Sequence, residues 1–176
     1  MRILKWFVGI VVVLAIVLIG GAYLLPREVS VARSVQIDAP AEAIFPHVNS
    51  LKAAAQWSPW LDRDPDVALT YTGPDEGPGA KLTWASENPQ VGNGNQEIVA
   101  SEPGRSVTTA LDFGDMGLAT ARFDLAETAG TTTVTWSLDT DMGMNPMGRW
   151  MGLMMDTWVG ADYEAGLANL KALVEG

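Results

Sequence analysis

Apolar and polar positions change period three times along this chain, and each change predicts an element. Trp6 to Leu25 shows no alternation. It is a run of 20 residues without a charge, broken only by three glycines and preceded by Arg2 and Lys5. About 20 apolar residues are enough to cross the ~30 Å hydrocarbon core of a bilayer as a helix. A cleaved signal peptide carries a shorter apolar region of roughly 7–15 residues, so the run reads as an uncleaved transmembrane helix. The small residues Gly20-Gly21-Ala22 leave a peptidase site as the alternative.

From Val29 the period becomes two. Val29, Val31, Val35 and Ile37 are apolar with mostly polar residues between them, the pattern of a half-buried strand. Asp38-Ala39-Pro40 ends it and opens a short helix from Ala41 to about Asn49, with Asp38 or Ala39 as cap and Pro40 in the first turn. Ile44, Phe45 and Val48 fall on one side of that helix, and Glu42 suits its positive end. A second short helix, Leu51 to Gln56, leads into Trp57-Ser58-Pro59-Trp60. Six further strands are predicted at Val67–Thr72, Lys81–Ser86, Gln90–Ala100, Ser106–Phe113, Leu118–Ala126 and Thr131–Thr140, each bounded by Gly, Pro, Asn or Asp. Their spacing of roughly 10–14 residues implies successive antiparallel hairpins.

The third period is helical. Tyr163, Leu167, Leu170 and Val174 recur every three or four residues, so the chain from Pro146 onward is predicted as a long terminal helix laid on a core. On a regular helix Met147, Trp150, Met151, Met154 and Trp158 fall on the opposite side. Either Gly160 bends the helix or this Met/Trp face meets something of its own. Met and Trp make adaptable, polarisable walls, and a hydrophobic cavity is the expected neighbour. The architecture predicted is α+β: a curved antiparallel sheet of about seven strands round a long C-terminal helix, behind one N-terminal transmembrane helix. Residues 1–26 form the anchor and 27–176 one domain.

Charge narrows the partners. All 21 acidic residues and nine of the 11 basic ones lie beyond residue 25, leaving a net of −12 on the domain. That excludes nucleic acid as a natural partner, and flat binding to anionic lipid with it. Arg2, Lys5 and the amino terminus on one side of the apolar run, against Arg27 and Arg33 on the other, favour an extracytoplasmic domain, on the periplasmic side of the membrane. The absence of cysteine fits either compartment.

Candidate chemistry is sparse. With no cysteine and one histidine, His47, a Cys–His pair is excluded, and no G-x-S-x-G elbow accompanies the histidine. Zinc is equally starved of ligands. Asp62, Asp64 and Asp66 alternate like the opening of a calcium loop, but Pro65 and the missing glycine and late glutamate spoil the pattern, so they read as a solvated loop. Six of the eight methionines crowd into residues 142–155, and soft thioethers suit Cu(I), which makes a copper site the rival of ordinary apolar packing there. Asp156 falls near the Tyr163 face with Arg149 two turns back as its expected partner.

The order of elements resembles the polyketide cyclase and lipid-transport group of the Bet v 1-like, START-like (SRPBCC) superfamily. The residues that carry the resemblance are Arg33 to Pro40, Phe45, the Trp57-Ser58-Pro59-Trp60 segment, Gly73-Pro74 with Gly77 and Gly79-Ala80, Thr83-Trp84, Thr132 to Trp136, and Gly166 to Lys171. The resemblance covers nearly all of residues 28–174 and implies a helix-grip fold with a hydrophobic cavity between sheet and terminal helix. It implies a lipid, sterol or polyketide as ligand but carries over no catalytic set. In such a fold Trp57, Trp60, Trp84, Trp150, Met151, Met154 and Trp158 are the expected ligand-binding residues. The expectation is therefore a membrane-tethered domain that holds a hydrophobic small molecule or lipid, with no cofactor or metal assigned. The alternatives are a cyclase-like or hydrolase-like enzyme using Asp156, Arg149 or His47, and Cu(I) binding through the methionines.

Overall fold

The computed structural model describes residues 2–176, and the side chains of Arg2, Ile3, Leu4, Val8 and Asp62 lie outside the described residues. An apolar helix, α1 (Arg2–Ala22), leads into strand β1 (Glu28–Ile37). The short helices α2 (Ala41–Val48) and α3 (Leu51–Ala54) follow, and then six strands: β2 (Ala68–Thr72), β3 (Lys81–Ala85), β4 (Asn93–Glu102), β5 (Ser106–Asp112), β6 (Leu118–Thr128) and β7 (Thr131–Asp141). Helix α4 (Pro146–Glu175) ends the chain. The expected elements are all present, with boundaries displaced by a few residues. The seven strands form one antiparallel sheet in the order β1-β7-β6-β5-β4-β3-β2, so the first strand pairs with the last and the hairpins run outward from there.

Register sets the inner face. Val31, Leu138 and Ala121 lie in one row across β1, β7 and β6, and Arg33, Trp136 and Phe123 in the next. Phe123 continues that row to Val107 on β5. A bulge at Val99 keeps Ile98 and Ser101 of β4 on the same side, where Ile98 is fully buried and the Ser101 hydroxyl meets the buried Asn49 amide at 2.7 Å. Alternation of period two is thus realised as one buried and one wet face.

Two local expectations change. Pro40 occupies the N-cap position of α2 rather than its first turn, and the Ala41 amide donates to the Glu127 carboxylate of β6 at 2.9 Å. A carboxylate brought from another strand does the work expected of Asp38, whose own side chain accepts from Thr131. Second, α4 runs unbroken from Pro146 to Glu175, capped by the Asn145 side chain, so Gly160 does not bend it. Gly160 instead lets the Arg33 guanidinium pass against the helix, as Gly152 admits Val29 of β1 and Gly166 admits the Trp136 ring. A Cβ at Gly152 or Gly166 would come within 2.9 Å of those neighbours. Each helical glycine gives up about 1 kcal/mol of propensity relative to alanine, and here close approach to the sheet is what it permits.

An exposed ion pair ties the first strand to the last. Arg27, just ahead of β1, donates to Asp141 at the end of β7 at 2.6 and 2.5 Å, and the Gly143 amide adds a bond to the same carboxylate. The Arg27 hydrogen bond first, then that amide, hold the Asp141 carboxyl down at about 2. A depressed carboxylate contributes stability above its unfolded value near 4 and loses it as pH falls through its folded value. Carbon-detected titration of Arg27→Ala in the full chain is expected to move the Asp141 midpoint up toward ~4. The loss of stability between pH 4 and 2 should shrink accordingly. An unmoved midpoint would contradict this account of the pair.

Candidate functional site

The interior is organised round Trp136. It projects inward from β7, and α4 lays Tyr163 flat on it, with ring centroids 3.8 Å apart and planes 7° apart. Phe123, its neighbour across the β6–β7 ladder, stacks at 4.8 Å. The Trp57-Ser58-Pro59-Trp60 segment adds an edge-on ring from each end, Trp57 at 5.4 Å and Trp60 at 5.5 Å. Pro59 holds the two tryptophans apart so that both reach the same ring, and its Cδ faces Gly166 of α4. Offset and edge-on pairs add about 0.5–1.5 kcal/mol each beyond burial.

Polar atoms in this cluster are nearly all matched. The Trp57 indole N–H donates to the His47 carbonyl at 3.1 Å, and the Asn169 amide donates to the Trp57 carbonyl at 3.2 Å. Trp136 is different, for its indole nitrogen is buried without a partner among the described residues. A buried donor left unpaired costs on the order of 1–3 kcal/mol. Burial, with Asp139 and Asp162 nearby, pushes the Tyr163 phenol far up, so it stays neutral.

Helix α4 covers only part of the inner face. It packs along β1 and reaches β7. There Arg33 of β1 bonds Asp156 at 2.9 Å and Glu164 at 2.7 Å. On the far side, Tyr71, Leu82, Leu111 and Phe113 are half-buried and pack on the core without being closed over. Trp84 belongs to the same wall. Its ring meets Phe113 edge-on at 5.8 Å, and its N–H points to the Val91 carbonyl at 3.4 Å. Gly94, opposite Trp84 in the β3–β4 ladder, has no room for a side chain, because the Trp84 ring lies over it. Gln96 supplies an amide in the row between Leu82 and Leu111, and burial raises the Tyr71 phenol, keeping it a neutral O–H donor. An apolar wall with a few fixed polar groups is the usual make-up of a small-molecule site.

The seven expected ligand residues divide. Trp57, Trp60 and Trp84 lie on the inner side, Trp57 as sealed core at 3% exposure and Trp84 on the half-open wall. Trp150, Met151, Met154 and Trp158 lie on the side of α4 turned away from the sheet, 38–48% exposed. The inner stripe of α4 runs instead through Arg149, Gly152, Met155, Val159 and Tyr163. The expected Arg149–Asp156 pair is absent. Asp156 goes to Arg33, which holds its carboxyl below the usual range. Arg149 is buried and donates to the Gly143, Tyr23 and Leu25 carbonyls, over the Tyr23 ring. Leu82, Leu111, Phe113 and Gln96 were not singled out from sequence, although strand alternation and register place them inward.

Other candidate chemistry disperses. His47 lies beside the core and contributes its carbonyl there. Asp64 accepts from the Ser86 hydroxyl and the Asp66 amide. The methionines split, with Met155 on the inner stripe, Met142 against Gly148 and Gly152, and Met147, Met151 and Met154 outward. Among the described residues no three His, Cys, Asp or Glu side chains converge. An open depression of about 830 Å³ crosses the outer sheet face between two rows of side chains, Glu28, Asp141, Leu118, Asp112 and Asn95 on one side and Ser30, Asp139, Thr120, Ala110 and Glu97 on the other. It lies on the face opposite the expected cavity.

Fold and wall together define a ligand-binding helix-grip domain. The sequence profile of the family described as polyketide cyclase / dehydrase and lipid transport matches residues 28–175, and the chain belongs to that family. Similar solved structures include protein Ms6760 from Mycobacterium smegmatis, at 18% identity over 82% of this chain and 90% of that one, with a TM-score of 0.58. Truncated norcoclaurine synthase from Thalictrum flavum has 13% identity over 84% of this chain and 93% of its own, with a TM-score of 0.64. A Thermobifida fusca protein gives 19%, 82%, 92% and 0.62 for the same quantities. At such identities the likeness is one of fold. No curated protein matches the chain.

Gly94→Ala is expected to displace the Trp84 ring and to cost about 1–3 kcal/mol, as overpacking does. Chemical denaturation and the Trp84 indole resonance check it. A neutral variant with that resonance unmoved would contradict the placement of the ring.

Proposed function

We propose that this protein is a membrane-tethered binding domain for a hydrophobic small molecule or lipid, held against the inner wall of β3–β5 between the sheet and α4. The observation that carries the reading is the half-buried row Leu82, Trp84, Leu111 and Phe113, which α4 leaves uncovered. Leaving large apolar groups half in water forgoes about 25 cal/mol for every Å² still wet, and an apolar ligand would recover it. Gln96 and Tyr71 would orient a polar end of that ligand, with Trp60 and Trp136 closing the far end. The family to which the chain belongs supports a ligand of this class, and norcoclaurine synthase and other neighbours share the fold.

The tether in this reading is α1. Lys5–Ala22 is long and apolar enough to cross a membrane and is almost wholly exposed. Residues 1–26 are then the anchor and 27–176 the binding domain. The direction of the charge difference across the apolar run supports an extracytoplasmic domain, within reach of the bilayer in which such ligands dissolve.

The test is retention. The full chain, purified from membranes into nanodiscs of one defined lipid, is extracted and its apolar compounds are identified by mass spectrometry. Leu111→Trp, which fills the wall, is expected to lose at least about tenfold of the retained compound, the effect of some 1.4 kcal/mol in binding. Trp158→Ala, on the opposite side of α4, should retain it. Equal retention by both variants, or no compound retained and no uptake of an apolar fluorophore, sinks the reading.

A further inference from the structure

The outward side of α4 is unusual for a surface helix. From Met147 to Trp158 the residues facing away from the sheet are Met147, Trp150, Met151, Met154 and Trp158, all exposed. No charged side chain interrupts them, since Arg149 is buried on the inner side and Asp156 turns back to Arg33. The face is about 17 Å long at the α-helical rise. A contiguous exposed apolar face of this kind marks an interaction surface.

Its occupant follows from where α1 ends. The Trp150 indole N–H donates to the Leu18 carbonyl of α1 at 3.0 Å, and the Trp150 ring lies 3.4 Å from where a Cβ on Gly21 would sit. Arg149 fastens the same junction through the Tyr23 and Leu25 carbonyls, and the Tyr23 hydroxyl reaches the Met144 carbonyl. Leu18 precedes the end of α1 at Ala22 by four residues, or about 6 Å of helix. Interfacial helices bury their apolar face about 5–10 Å into the boundary between headgroups and acyl chains. If α1 spans the bilayer, Trp150 is therefore carried to that depth by its own hydrogen bond. Tyr23, Trp150 and Trp158 then sit where aromatic side chains concentrate.

We propose that the Met/Trp face of α4 is a second membrane contact, lying in the bilayer interface beside the end of α1. The proposal rests on α1 being the anchor. With a net charge of −12 on the domain, the contact is apolar and aromatic, so it holds on zwitterionic lipid and does not weaken with salt. It fixes the orientation of the domain, with the inner stripe of α4 and the sheet turned away from the lipid and the binding wall beside it.

The chain has no cysteine, so single labels are clean. Met154→Cys, Trp158→Cys, Leu14→Cys in α1 and Leu118→Cys on the outer sheet face are made in the full chain. Each carries an environment-sensitive fluorophore in phosphatidylcholine nanodiscs, with near-ultraviolet circular dichroism as the check on folding. Labels at 154 and 158 are expected to be blue-shifted and quenched several-fold more by shallow nitroxide lipids than the label at 118, equally at low and high salt. The label at 14 should be quenched by deep nitroxides. Quenching at 14 with wet labels at 154 and 158 overturns the interfacial contact while leaving the anchor intact, and it is the result that a protein partner on this face would give. Wet labels at all three positions overturn the anchor and the contact together.

Discussion

The stack of Tyr163 on Trp136 is the contact on which the rest of this structure depends. At 3.8 Å between centroids it brings the α4 backbone close to β7 and β1, closer than a helix with ordinary side chains could come. Gly152, Gly160 and Gly166 are the counterpart of that approach, each standing where Val29, Arg33 or Trp136 occupies the space of a side chain. The same stack needs support from below, and Trp57 and Trp60 provide it from either side of Ser58-Pro59. Loss of any one of these rings exposes the others, so the cluster acts as a unit.

Drawing α4 to the β1 edge has a consequence for function. A seven-stranded sheet presents more inner surface than one helix can cover, and the part left over is the wall of β3–β5. Its side chains are mostly apolar, with Trp84 held flat by Gly94, and Gln96 and, from β2, Tyr71 add polar groups. Carboxylates, by contrast, line the outer face or pair with Arg27, Arg33, Lys52 and Arg63, and those of Asp64 and Glu127 accept from the Ser86 hydroxyl and the Ala41 amide. This separation is what a binding site for an apolar molecule requires.

Much of the fold was legible in the sequence because the signals are periodic. Val29 to Ile37 alternates, and the structure turns the expected parity inward. Tyr163, Leu167 and Leu170 are core, and the family resemblance quoted from Trp57 to Trp60 and from Gly166 to Lys171 falls on residues that touch each other. The candidate site was harder to read. A helix with apolar residues all round does not say which side faces the sheet, and the Met/Trp side was the more conspicuous one. Glycine decided it, through Gly152 and Gly160, by permitting an approach that no hydrophobic pattern records. Arg149 and Asp156 misled for the same reason. Two residues on one helix suggested each other as partners, but each found its partner on a distant segment, at Tyr23 and Leu25 or at Arg33.

The central claim, that the uncovered wall of β3–β5 holds an apolar ligand, is tested most directly by looking for the ligand there. The measurement is the set of nuclear Overhauser contacts between non-protein protons and the Leu82 and Leu111 methyls and the Trp84 ring. It is made on the methyl-labelled full chain in nanodiscs of deuterated lipid, prepared without stripping bound compounds. The account predicts contacts at all three positions that vanish on organic extraction. Contacts confined to Met154 and Trp158, with none at the wall, would contradict it.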